Sequence, residues 1–103
     1  MYARTVTFDF DTRRWEETLG FGESIRPHIA TFPGLVSWVL VANNETGKGT
    51  SFSTFDSEDS FLDAKDQIDQ ILSDFSQFLT APPHETLGQV LISVQTPSPN
   101  TRT

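Results

Sequence analysis

Tyr2 to Phe10 alternates, with Val6, Phe8 and Phe10 on one face and Thr5, Thr7 and Asp9 on the other, the period of a half-buried strand. Asp11 and Thr12 can cap a helix that runs toward Thr31, with Trp15, Leu19, Ile25, Ile29 and Phe32 near helical spacing. Gly20, Gly22 and Pro27 interrupt that pattern. They predict a bent or two-part helix, with Ser24 capping the second part and Pro27 in its first turn. Pro33-Gly34 stops it. Leu35 to Ala42 is nearly continuous in apolar, β-branched residues, as in a strand covered on both faces. Asn43 to Gly49 is dense in turn formers, and Thr50 to Phe55 completes a hairpin. Asp56 or Ser57 then caps the longest helix, whose apolar set of Phe61, Ala64, Ile68, Ile71, Leu72, Phe75, Phe78 and Leu79 keeps a sustained three-four spacing. Pro82-Pro83 ends it. Leu87 to Gln95 alternates again and reads as strand four.

The order β-α-β-β-α-β is that of two crossovers sharing a central hairpin. It predicts an α+β, ferredoxin-like split fold, a four-stranded antiparallel sheet with both helices on one face. Residues 1–96 read as one domain, and 97–103 as a short polar tail expected to be mobile. The open face is expected to carry Thr5, Thr7, Ser51, Ser53, Gln89, Leu91 and Ser93, together with Val or Trp side chains of strand two. A sheet face with that apolar content calls for cover, and a second copy laid sheet to sheet, an isologous homodimer, supplies it most simply.

The chain has 103 residues and a formal net charge of -7. An acidic chain lacks the basic patch that nucleic acid or anionic lipid would need, so neither is an expected partner. There is no Cys, which excludes disulfides, thiol catalysis and zinc-thiolate sites. No apolar run approaches the about 20 residues of a membrane span, and Met1 to Thr5 moves directly into a strand without a signal-peptide core. The cytosol is the default location.

Candidate chemistry is thin. Trp15 and Trp38 are either walls of an aromatic ligand pocket or core residues with a satisfied indole N–H. His28 is the candidate acid or base, or else a surface histidine on a helix. His84 reads as a loop residue beside Glu85. No ligand spacing supports a metal site. Gly47-Lys48-Gly49-Thr50 mimics the end of a phosphate loop, but Ala42 stands where the earlier glycine belongs and a strand follows.

Met1-Tyr2-Ala3-Arg4, the first helix with Pro27, Phe32-Pro33-Gly34, Thr46-Gly47-Lys48 and Phe55-Asp56-Ser57-Glu58-Asp59 together resemble the dimeric α/β-barrel superfamily. Within it the chain is most similar to the antibiotic-biosynthesis-monooxygenase-type domains, over Tyr2 to Gln95. That resemblance implies a homodimer through the open sheet face and a substrate site between sheet and helices. It is specific for fold and not for activity, because the superfamily also holds haem-degrading enzymes, cyclases and dimers without known activity. Haem-degrading members use an Asn on strand one, a Trp at the end of strand three and a His on the long helix. Here strand one has Thr5, Thr7 and Asp9, strand three ends in Phe55, and the long helix has no His, so the resemblance points away from haem degradation.

The leading expectation is a monooxygenase-like enzyme working without metal, flavin or other cofactor on an aromatic or polycyclic small molecule. Phe8, Trp15, Trp38, Phe55 and Phe75 are the expected pocket wall, and His28 the expected base. The alternative is a ligand-binding or structural homodimer without catalysis. A pocket of about 300 Å³ or more between sheet and helices favours a ligand site, and a filled space favours a structural dimer.

Overall fold

The computed structural model describes residues 1–96; the tail expected at 97–103 lies outside the described residues. The elements are β1 (Tyr2–Asp9), α1 (Trp15–Ile29), β2 (Leu35–Asn43), β3 (Lys48–Phe55), α2 (Glu58–Phe75) and β4 (His84–Gln89), with 3-10 turns at Thr12–Arg14 and Ser76–Phe78. The strands pair antiparallel in the order β2-β3-β1-β4. This is the expected ferredoxin-like arrangement.

Local chemistry sets most boundaries. The Asp11 carboxylate accepts from the Arg13 backbone N–H at 3.0 Å and from the Arg13 side chain at 3.1 Å, starting the turn that leads into α1. Hydrogen bonds from that guanidinium hold the Asp11 carboxyl below the usual carboxylate range. Ser57 Oγ accepts from the Ser60 N–H and caps α2. At the hairpin tip the Asn43 carbonyl accepts from the Gly47 N–H at 2.9 Å, and Gly47 takes the left-handed φ of +74° that this turn requires.

Of the bent or two-part helix expected, the two-part form is not found: α1 is one helix, and Pro27 lies near its C-terminal end. The carbonyl that Pro27 leaves without a donor belongs to exposed Glu23, where water can serve it. Ser24 is not a cap, since its hydroxyl donates back to the Phe21 carbonyl at 2.7 Å. Gly22 is buried where α1 lies close to β2, and a Cβ there would stand 3.2 Å from Leu40 Cδ2.

Strand four runs His84–Gln89, not Leu87 to Gln95. Its antiparallel partner is β1, in the register Thr7↔His84 to Tyr2↔Gln89. The Val90 N–H still reaches the Met1 carbonyl at 2.9 Å, the last contact of this ladder. Residues 91–96 therefore belong to no strand, and Leu91, Ile92 and Val94 are 92%, 84% and 83% exposed.

Register assigns the faces. Tyr2, Arg4, Val6 and Phe8 of β1 stand opposite Phe55, Ser53, Ser51 and Gly49 of β3. Ser53, Ser51 and Gly49 stand in turn opposite Trp38, Leu40 and Ala42 of β2. Residues directly opposite share a face, and this set faces the helices. Ser51 and Ser53 thus point inward, which corrects their expected place on the open face. Thr5, Thr7, Val39, Val41, Thr50 and Phe52 face the other way. Val39, Val41 and Phe52 are 50%, 58% and 40% exposed, so the described residues cover β2 on one side only.

The core beneath the helices is split. One cluster gathers Tyr2, Ile29, Phe32, Phe55, Phe61, Ala64 and Ile68. The other gathers Val6, Phe8, Phe10, Phe75 and Phe78. On β1 the boundary between them falls at Arg4.

Candidate functional site

A cavity lies along that boundary, between sheet and helices. Its floor is the inward face of three strands: Arg4, Val6 and Phe8 of β1, Ser51, Ser53 and Phe55 of β3, and Leu35, Trp38 and Leu40 of β2. Phe21, Gly22, Ile25 and Ile29 of α1 and Ile68, Ile71, Leu72 and Phe75 of α2 close it from above. The volume is about 70 Å³. That is far short of the about 300 Å³ expected for a drug-sized ligand, yet the space is not filled as a purely structural core would be. It is roomy enough for water or a small group.

The walls are apolar except for one stripe. Arg4 sits at an inward position of β1, between Tyr2 and Val6, and is 7% exposed. Its Nε donates to Glu85 Oε2 at 2.5 Å. Glu85 stands on the edge strand β4, with its side chain 37% exposed. Arg4 Nη2 is buried and has no hydrogen-bond partner among the described residues. Leaving a buried donor unpaired costs about 1–3 kcal/mol, and more when it is charged. Across the strand pair Ser53 stands directly opposite Arg4, and Ser51 opposite Val6. Ser51 Oγ accepts from Trp38 Nε1 at 3.0 Å, which leaves the Ser51 hydroxyl proton to donate elsewhere. The polar side-chain groups of the wall, among the described residues, are therefore one guanidinium, two hydroxyls and the Trp38 indole N–H that Ser51 accepts. Among the described residues no Asp, Glu, His or Lys lines the cavity.

Phe8, Trp38, Phe55 and Phe75 from the expected wall do line it. Phe8 and Phe75 meet edge to face with ring centroids 5.1 Å apart. Trp15 does not line it; its ring packs on Phe10 at 5.9 Å in the second core cluster. His28 is exposed on α1, packed edge-on against Phe32 at 5.1 Å, and is not part of the wall. Neither residue occupies a helix position that turns to the seam. Arg4, Phe21, Ser51 and Ser53 were not expected in the wall. For Arg4 a signal existed, because it shares the even-numbered parity of Val6, Phe8 and Phe10 on an alternating strand.

Among the described residues no group of three metal-ligating side chains converges, and no helix is long and apolar enough to cross a membrane.

No protein-family model matches the sequence, and no curated protein matches it. Solved structures do match in shape. A monooxygenase from the gene ActVA-Orf6 of Streptomyces coelicolor, in complex with nanaomycin D, is 16% identical over 93% of this chain and 92% of its own, with a TM-score of 0.72. A mutant form of SnoaB of Streptomyces nogalater, a cofactor-independent oxygenase, is 12% identical over 92% and 97%, with a TM-score of 0.73. The NE2512 protein of Nitrosomonas europaea, of unknown function, is 15% identical over 94% and 95%, with a TM-score of 0.73. At such identities the likeness is one of architecture: the chain has the ferredoxin-like α+β fold of the antibiotic-biosynthesis-monooxygenase-type structures.

Proposed function

We propose that the protein is a homodimeric monooxygenase-like enzyme that oxidises a small aromatic molecule held between its sheet and its helices, without a cofactor. The observation that carries the reading is the aromatic-walled cavity on the boundary between the two core clusters. An apolar site of this kind excludes water and orients an electron-rich ring toward dioxygen. The shape neighbours support it, since two of the three are described as a monooxygenase and an oxygenase. Of the two substrate sizes expected, the volume of about 70 Å³ favours a single ring over a polycycle.

The reaction balances simply. A hydroxyarene and one dioxygen give a quinone and one water. One oxygen atom enters the ring and the other leaves with two hydrogens. With no base among the described residues of the wall, the proton passes to water; His28 is exposed on α1 and is not part of the wall. Purified protein incubated in air with single-ring and anthracene-type hydroxyarenes should form quinone and consume oxygen one for one, above a heat-killed control. Background rates for every substrate would sink the proposal. His28→Ala is expected to leave the rate unchanged.

That no base stands among the described residues of the wall favours the second reading, a ligand-binding homodimer without catalysis. Both readings place a second copy over the open face, where Val39, Val41 and Phe52 are uncovered.

A further inference from the structure

We infer that the cavity takes an aromatic carboxylate, and that Arg4 is the residue that holds its charged end; this rests on the reading of the cavity as a ligand site. Arg4 is the one cation among the described residues of a mostly apolar wall, and it is more than nine-tenths buried. Its Nη2 is enclosed and unpaired among the described residues, while its Nε is held by Glu85. The Glu85 bond fixes the guanidinium from the sheet edge, and Nη2 is left without a partner on a side chain that lines the cavity. Ser53 and Ser51 add hydroxyls at paired positions of the neighbouring strand.

The chemistry of the wall selects the anion. Every ionised or hydroxyl group on it can donate, and no carboxylate or imidazole of the described residues is there to accept. A neutral phenol would bring a proton with no strong acceptor to meet it. A carboxylate is already ionised at neutral pH, accepts only, and matches the planar fork of a guanidinium. A phosphate would bring more charge than one half-committed cation can balance. The rings of Phe8, Trp38, Phe55 and Phe75 leave a flat apolar space for the body of the ligand.

Isothermal titration of the whole protein with benzoate, benzamide, hexanoate and inorganic phosphate tests this, with Trp38 fluorescence as a second readout. Benzoate is expected to bind about tenfold or more tighter than benzamide, the ratio that one charge-assisted hydrogen bond gives. Hexanoate and phosphate should bind more weakly still. Arg4→Met should bring the benzoate-to-benzamide ratio to about one. Should that variant fail to fold, Glu85→Gln serves: removing the competing carboxylate should tighten benzoate and leave benzamide unchanged.

Equal binding of benzoate and benzamide by the unaltered protein overturns the inference; a water in the cavity would then be all that satisfies Nη2. So does a preference that survives Arg4→Met, or Glu85→Gln leaving benzoate no tighter. Hexanoate binding as well as benzoate overturns the aromatic part. Arg4-dependent benzoate binding with no quinone from any hydroxyarene supports this inference and defeats the oxygenase reading. Quinone formation indifferent to Arg4→Met, with benzoate and benzamide bound alike, does the reverse.

Discussion

The two faces of the sheet use their residues in opposite ways. The helix-covered face holds the large rings, yet it also holds Arg4, a deeply buried cation, and two serines. The outward face carries Thr5, Thr7 and Thr50, yet it displays Val39, Val41 and Phe52 to solvent. Burying a guanidinium and exposing a phenylalanine both cost stability in an isolated chain. The contrast teaches that neither face follows burial alone. The core under the helices is broken around a small polar-striped space, and the open face leaves apolar side chains that the proposed second copy would cover.

Strand β3 allows the contrast to be broken one residue at a time, since Phe55 and Phe52 lie three positions apart on opposite faces. Phe55 is 1% exposed and meets Phe61 edge to face at 5.7 Å. Phe55→Ala removes a ring from a full cluster and should cost about 3–5 kcal/mol. In a domain of this size that corresponds to a fall in melting temperature of about 15 °C or more. A fall of only a few degrees would mean that the cluster around Tyr2 and Phe61 is not the stabilising half of the core.

Phe52→Asp should act on assembly and not on the fold. The monomer gains a charge on a face it does not bury. A dimer sealed by that face loses a central ring, and its dissociation constant should rise about thirtyfold or more. Sedimentation of the unaltered protein should show a dimer at micromolar concentration, and of Phe52→Asp a folded monomer. A dimer that survives the substitution would move the interface away from Val39, Val41 and Phe52. The stretch 91–96 is then the next place to look, for its apolar residues have no cover from the described chain.

The fold was legible because its signals are local. Alternation in β1, the three-four spacing of α2, the Asp11 and Ser57 caps and the Gly47 turn each depend on a few neighbouring residues. What was not legible depends on pairing. The alternation of Val90, Ile92 and Val94 continues past the end of β4, whose last pair with β1 is Tyr2↔Gln89. Strand three carries one Phe on each parity, Phe52 and Phe55, so its pattern cannot say which face is inner. Only the register Arg4↔Ser53 does so, and it carries Ser51 and Ser53 into the cavity. Four of the five expected wall residues were legible because large rings gather where the helices cover the sheet. Trp15 was not separable from them, since it is equally aromatic and packs on Phe10 in the same cluster as Phe8 and Phe75. Arg4 was hidden because an arginine near a strand's start reads as a surface residue, although its parity says otherwise.

The finest test is at Gly22, where helix and cavity make opposite demands. Gly in a helix costs about 1 kcal/mol relative to Ala, so Gly22→Ala gains backbone stability. The new Cβ stands 3.2 Å from Leu40 Cδ2, a tight contact that a flexible leucine end can relieve with a small shift. Both residues line the cavity, so the relief comes out of its volume. Stability should therefore change by less than about 1 kcal/mol in either direction, while affinity for a ring-sized ligand falls. Should affinity fall only together with stability, the glycine serves packing between α1 and β2. Should affinity fall alone, Gly22 is there to keep the space open, and the broken core beneath the helices is a site held at the expense of helix propensity.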